Sequence, residues 1–443
     1  MGGQGLPGGQ RQAAAAGNRD LLRGLWCAPL YRCGCPNIMC GYHDLLENRV
    51  RAHVYRPYEH VRAFKPPRRL EPACVRGRVF RLCRFITYYP RRSGPRSCCR
   101  IRTSVSSQTL DIGVVIVTYR TAQMTIKSLE SIDRQRLGAG YVARVVVVDN
   151  ASGDAPEIRR AIDAHGWGSW ATVLESDRNG GFAYGNNLGI RKLRESGSPA
   201  YFHILNPDTE LLSGAIQELV AFMEANPAVG VAGSSFKNPD GSDWHIAFRF
   251  PGLISQMIDG IAFGPVTAVF RNRVVARVMT QVNQRVDWLC GASMLVRPAV
   301  IEATGGMDEN FFLYFEETDF CRRALIAGYP SWYVPGSLVM HHCGGSTQIT
   351  GKAEGKKRLP GYWFASRRRY FVVAFGVPQA MLIDAVAISS LALGHVKRLL
   401  LGRMSTAVPH FLRDLIRESI LWPGNRNIPA ALCTATRAEP RNS

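Results

Sequence analysis

Short apolar runs that stop abruptly at polar residues set the rhythm of the chain. "DIGVVIVTYR" (111–120) and "ARVVVVDNASGD" (143–154) are unbroken Val/Ile runs, which read as strands buried on both faces. "WATVLES" (170–176), "AYFHILNPD" (200–208) and "VGVAGSSF" (229–236) read as strands too. Between them the period lengthens. Met124, Leu129, Ile132 and Leu137 recur at near-helical spacing over 121–137. A helix is expected around 155–165 and another over 181–194. Residues 212–226 put Ile216, Leu219, Val220 and Met223 on one helical face.

Strands alternating with helices predict βαβ units and a mostly parallel sheet. Ligands of such sheets sit at the carboxyl ends of the strands. The polar residues after each run should therefore converge: Thr118-Tyr119-Arg120, Asp149-Asn150, Asp177 to Gly181, and Asn206-Pro207-Asp208.

Beyond residue 240 the pattern changes. "NPDGS" (238–242) is a turn, expected within a hairpin. Residues 252–284 are weakly patterned, and strands return at 287–298 and 331–342. Residues 346–358 form a polar, Gly- and Lys-containing loop, expected to be mobile. The run 371–394 is apolar for about the length of a bilayer span. Arg367, Arg368 and Arg369 precede it and Lys397-Arg398 follow, whereas Pro378 and Asp384 count against spanning. Core helices, or a helix lying on a membrane surface, fit as well.

Composition changes this picture at one end only. The 443 residues carry a net charge of +21. Residues 1–105 hold 20 Lys+Arg against 5 Asp+Glu and eight of the twelve cysteines; the other 338 residues are +6. The body is mildly basic, so nucleic acid is not an expected partner. The leader (1–108) reads as disordered or as an extension upstream of the native start. Its "CGCPNIMC" with His43 fits no common zinc spacing. No apolar segment with a cleavage site opens the chain, so a reduced, cytosolic body is expected.

Five stretches carry candidate chemistry. Asp208 in "LNPDTEL" follows a strand directly; it can hold a divalent cation against phosphates, or serve equally as a turn or cap. Asp149 can accept hydrogen bonds from a base or ribose, with a turn again the alternative. "NGGFAYGNNLGI" has glycines that let backbone approach a phosphate or base closely, though it is neither G-x-G-x-x-G nor a Walker loop. His341, His342 and Cys343 alternate faces on a strand, so one histidine ligand beside Asp208 is more economical than a zinc site. The fifth, "ENFFLYFEETDF" (309–320), sets Glu316, Glu317 and Asp319 after an apolar segment. Burying such acids is costly unless something pairs with them.

Taken together, "VVIVTYR", "VVVDNASGD", "NGGFAYGNNLGI", "LNPDTEL", "WLCGASMLVRP", "GGMDENFFLYFEETDFCRRALIAGY" and "HHCGGS" resemble glycosyltransferase family 2. Within it the chain is most similar to the bacterial rhamnosyltransferase-like branch that builds cell-envelope polysaccharides. The resemblance covers about 110–375.

It implies an α/β GT-A fold: a nucleotide-sugar-binding half (109–240), an acceptor-binding half (241–345), membrane-associated C-terminal helices (346–422) and a disordered tail (423–443). It also implies inverting transfer from a nucleotide-diphospho-sugar, dTDP-rhamnose or a UDP-sugar, to a glycan or lipid-linked acceptor. Mg²⁺ or Mn²⁺ is the expected cofactor, and the cytoplasmic face of the inner membrane the expected location. By position, Thr118, Tyr119 and Asp149 would contact the nucleoside, and Asp177, Asn179 and Gly181 would lie along the nucleotide. Asp208 would be the principal metal ligand, with Asn206 in place of the family's first Asp, and His341 would contact the metal or diphosphate. Glu317 stands where many members have Asp. It is the expected general base, at the start of a helix (317–328) whose N-terminus favours its ionised form. Glu316 and Asp319 would orient acceptor hydroxyls or hold the loop. Gly291 and Trp288 would line the acceptor side, Trp288 by stacking on a sugar, with "FFLY" as an apolar wall beneath. A nucleotidyltransferase on a similar sheet would require a Gly-rich loop after the first strand, which "VTYRTAQM" lacks. A basic nucleic-acid-binding protein is supported by the leader's charge alone.

Overall fold

The computed structural model describes residues 109–136, 140–342, 358–402 and 408–429. The readings of the leader and most of the expected polar loop lie outside these residues.

The apolar runs form the parallel strands. β1 (Leu110–Thr118), β2 (Tyr141–Asp149), β3 (Ala171–Glu175) and β4 (Tyr201–Leu205) pair in the order β3-β2-β1-β4. Their registers align Thr118 with Asp149 and Asp149 with Glu175. The polar residues that follow are thereby brought to one edge. Helix α1 (Ala122–Arg136) buries Thr125, Ser128, Leu129 and Ile132. α2 (Ala155–Ala164) and α3 (Gly181–Glu195) return the chain between strands. A Cβ on Gly185 or Gly189 would stand 2.6 or 2.4 Å from Val117 or Val115. These two glycines therefore let α3 lie close on β1; they are not ligand contacts.

The sheet continues β4-β11-β6-β12-β5, through β5 (Thr209–Leu211), β6 (Val231–Lys237), β11 (Ser293–Val296) and β12 (Ser331–His341). β11 runs antiparallel between β4 and β6. A strand from beyond residue 240 thus sits between two from before it, and the two expected halves share one sheet. The expected hairpin is present: β6 pairs with β7 (Asp243–Trp244) across the turn at 238–242. β8 (Ala247–Phe248), β9 (Gln284–Val286) and β10 (Trp288–Leu289) complete this part.

A chain of hydrogen bonds crosses the mixed half. His203 Nε2 meets Ser293 Oγ at 2.9 Å, Ser293 Oγ meets Ser234 Oγ at 2.7 Å, and Ser337 Oγ lies 2.8 Å from Ser234 Oγ. All four side chains are buried. Burial holds the His203 imidazole neutral, its pKa lowered to about 4.

The weakly patterned stretch holds α4 (Leu253–Ile261). The run 371–394 is not one helix. Gly376, at φ 82°, separates α5 (Gly361–Phe375) from α6 (Val377–Leu400), with Pro378 in the first turn of the latter. α6 is long and apolar enough to cross a membrane, with a mean hydropathy of 1.5. One face packs on α4, where a Cβ on Gly394 would stand 2.2 Å from the carbonyl of Gly260. Asp384 is not stranded in an apolar run, because Arg367 pairs with it inside the fold. Phe311, the first residue of the expected wall, and Phe315, just after it, join Trp363, Phe364, Tyr370 and Phe371 of α5 in one core cluster, so only part of that wall is free to face a ligand. Truncating such a phenylalanine costs about 3–5 kcal/mol.

Candidate active site

At the carboxyl edge of the sheet lies a cavity of about 420 Å³. Tyr119, Asn150, Asn179 and Gly181 line one part, Asn206 and Pro207 another, and Cys290 to Ala292 with Glu316 and Glu317 a third. Phe312, Leu313, Tyr314 and Tyr362 complete it.

Of the expected nucleotide contacts, Tyr119, Asn179 and Gly181 reach the cavity, whereas Thr118, Asp149 and Asp177 do not line it. Thr118 Oγ1 donates to Asp154 at 2.7 Å. Asp149 accepts from the N–H and Oγ of Ser152 and from the N–H of Ala155, so it shapes the β2–α2 turn. Asp177 accepts from the Tyr184 hydroxyl. Asn150, absent from the expected contacts, is the organiser. Its amide donates to Asn179 Oδ1 and to the Gly181 carbonyl, and its Oδ1 accepts from the Gly180 N–H. Its signal was its place, directly after a buried strand. Gly181 has φ 85°, and a Cβ there would fall 1.9 Å from the Phe312 carbonyl. Only glycine allows that approach, which the Phe182 N–H completes by donating to the same oxygen at 2.9 Å.

Asp208 and His341 meet because β5, immediately after Asn206-Pro207-Asp208, pairs with the end of β12, Thr209 opposite His341. His341 Nε2 stands 3.3 Å from Asp208 Oδ1, and both side chains are buried. Trp244 and Phe236 flank the imidazole. His342 faces away, to Glu210 at 2.8 Å. A carboxylate oxygen beside an imidazole nitrogen suits a divalent cation that completes its shell with phosphate oxygens and water. No group of three or more His, Cys, Asp or Glu side chains gathers for a metal among the described residues.

The acids separate into three environments on the helix Glu316–Ile326. Asp319 does not line the cavity. It is fully buried and paired with Arg323 Nε at 2.6 Å, while the same guanidinium donates to the carbonyls of Thr304 and Gly306. This corrects its expected place beside the acceptor: of its two expected roles, only holding the loop is open to it. Glu316 is buried beside Glu317, and desolvation, then the neighbouring carboxylate, raises its pKa well above the usual range. Glu317 is partly buried. Desolvation raises it to about 7, moderated by its own N–H and by that of Gly291. One oxygen of each glutamate is buried with no hydrogen-bond partner. Ahead of them, Tyr314 and Phe315 take φ of 72° and 67°, costing about 1–3 kcal/mol each. That bend drives Phe315 into the core and turns the glutamates to the cavity.

Trp288 is corrected as well. It is 1% exposed, stacked on Phe248 at 4.3 Å and bonded through Nε1 to the Arg249 carbonyl, so it offers no face to a sugar. Gly291, three residues on, does line the cavity. Tyr362 had no signal in its local sequence, since its helix reaches the cavity only through tertiary packing.

Residues 113–288 match the family model described as Glycosyl transferase family 2. The chain is 28% identical over 246 residues to the N-acetylglucosaminyl-diphospho-decaprenol L-rhamnosyltransferase of Mycobacterium tuberculosis, covering 53% of this chain and 76% of that protein. It is 25% identical over 171 residues to the rhamnosyltransferase WbbL of Escherichia coli K12, covering 37% and 61%. Among solved structures it is similar to GalNAc-T7 with UDP, GalNAc and Mn²⁺, at a TM-score of 0.45 and 14% identity, over 70% of this chain and about half (54%) of that one.

Proposed function

We propose that the chain, whose residues 113–288 match the model of glycosyl transferase family 2 and which is similar to rhamnosyltransferases, is an inverting enzyme of that family. It moves a sugar from a nucleotide-diphospho-sugar to a glycan or lipid-linked acceptor in cell-envelope polysaccharide synthesis. dTDP-rhamnose or a UDP-sugar is the donor. The observation that carries this reading is Glu317: a cavity-lining carboxyl with an unpartnered oxygen and a pKa of about 7. A base that titrates near working pH is both available and strong enough to take a proton.

The acceptor hydroxyl gives its proton to Glu317 as its oxygen attacks the anomeric carbon. The bond to the diphosphate breaks on the opposite face, inverting the centre without a sugar–enzyme intermediate. Glu316, kept protonated by burial and by its neighbour, leaves the negative charge to Glu317 and can donate to a substrate oxygen. Asn150 fixes the Asn179–Gly181 turn against which the nucleotide lies. Asp208 and His341 would hold Mg²⁺ or Mn²⁺, which when bound offsets the charge of the departing diphosphate.

Contact with a membrane surface is part of the same reading. Leu382, Leu393, Val396 and Leu400 are exposed along one stripe of α6, and Lys397 and Arg398 stand at its end. An apolar stripe with a basic end suits an anionic lipid surface.

A screen of UDP-, dTDP- and GDP-sugars for metal-dependent hydrolysis or transfer tests the central claim. No turnover of any donor by folded protein would sink it.

A further inference from the structure

We propose that α5, beyond the residues that match the family, supplies the acceptor subsite. Tyr362, with Tyr314 and Phe312, forms an aromatic wall on which the acceptor's sugar ring stacks. This rests on the glycosyltransferase reading above.

Tyr362 is the second residue of α5, and its ring lies 5.3 Å from Phe312 and 6.3 Å from Tyr314, nearly parallel to the latter at 18°. All three residues line the cavity. The segment 311–315 divides its rings. Phe311 and Phe315 go to the core, while Phe312 remains 37% exposed and Tyr314 partly so. A soluble fold gains nothing from leaving clustered rings at a cavity mouth, whereas the apolar face of a pyranose fits against such a wall.

Its position is fixed from α5. Ser366 Oγ donates to the Leu313 carbonyl at 3.0 Å, Arg369 pairs with Asp308, and Arg322 of the helix Glu316–Ile326 donates to the Ala374 carbonyl at 2.6 Å. The base must stand beside the attacking hydroxyl, so Tyr314, three residues before Glu317 and lining the same cavity, falls on the acceptor's side. The ends of β1 and β2 form the nucleotide's side, through Tyr119 and Asn150.

Saturation-transfer NMR with methyl N-acetyl-β-glucosaminide and methyl α-rhamnoside as probes, together with steady-state kinetics, tests the proposal. The wild type should saturate the ring C–H protons of at least one glycoside. Tyr362→Ala should lower that signal and raise the acceptor KM by about tenfold, with the donor KM within about threefold of wild type. Tyr362→Phe, which keeps the ring, should restore both. Should Tyr362→Ala show no cooperative melt, Phe312→Ala, at the exposed rim, carries the same expectation. No saturation in the wild type, an unmoved acceptor KM, a rise in donor KM instead, or failure of Tyr362→Phe to rescue would each overturn it. Glycoside binding without turnover of any nucleotide-sugar would overturn the glycosyltransferase reading while leaving the subsite standing.

Discussion

The guanidinium of Arg369 meets the carboxylate of Asp308 at 2.9 Å, with both side chains buried. One belongs to α5 and the other to the segment that leads into Glu316 and Glu317, so the pair joins the two. Removing one partner strands the other's charge. Arg369→Ala should lower stability by about 3–5 kcal/mol, read by denaturant unfolding. Arg369→Met with Asp308→Leu should recover most of it. A single substitution costing under about 1 kcal/mol would show that the pair does not hold the loop.

Glu317→Gln should keep nucleotide binding and lose transfer by about 10²-fold or more, the scale of a missing general base. Glu316→Gln resembles the protonated form that burial already favours, so a loss of under about tenfold is expected. In the wild type kcat/KM should rise with pH to a plateau, with a midpoint near 7. That limb should vanish in Glu317→Gln. A dead Glu316→Gln beside an active Glu317→Gln would reverse the assignment.

The same carboxyl sets a stability trend. Its folded pKa of about 7 lies above the ordinary 4.5, so between those values the folded state holds more protons than the unfolded. Stability from this group falls as pH rises from 4.5 to 7 and is level beyond, by roughly 3 kcal/mol at most. His203 works in the opposite sense. Its pKa falls from 6.5 to about 4, so its contribution is complete above 6.5 and is lost as pH drops toward 4. Unfolding curves of Glu317→Gln and wild type should therefore diverge from pH 4.5 to 7, the variant gaining. Parallel curves would contradict the raised pKa.

Asp208→Asn keeps the shape of the site and removes its charge. The Mn²⁺ concentration for half-maximal turnover should rise by about tenfold or more, and His341→Ala should act alike. Equal metal dependence in variant and wild type would place the cation elsewhere.

Leu393, Val396 and Leu400 are exposed on α6, so replacing all three with Ser should leave the fold intact. Co-sedimentation with vesicles containing anionic lipid should fall by at least tenfold, which at roughly 0.8 kcal/mol per buried methylene needs only about two methylenes to be lost from the lipid. Unchanged sedimentation would remove the stripe from the membrane reading.

The half expected to bind nucleotide was legible because its strands are buried on both faces and end in polar residues, so Tyr119, Asn179 and Gly181 could be placed at the cavity from order alone. Three things were hidden by tertiary pairing. β5 is three residues long and exists through β12, yet it brings Asp208 to His341. Trp288 faces Phe248 because β10 pairs with β8 outside the main sheet, which no local pattern encodes. Tyr362 is separated from Glu317 by 45 positions and reaches the cavity through the packing of α5. The break at Gly376 was readable in principle, since Gly-Val-Pro interrupts the apolar run, but the run's length masked it.

The buried chain from His203 through Ser293 and Ser234 to Ser337 has a further effect. β11 is four residues long, and side chains alternate faces, so a slip of one position would set Ala292 or Met294 where Ser293 stands. The imidazole and the Ser293 hydroxyl would then lose their partners in an apolar interior, and the Ser234 hydroxyl one of its two. The polar thread therefore works as a ruler across four strands, measuring out one alignment. Two residues upstream of its mark, the N–H of Gly291 arrives where Glu317 can receive it.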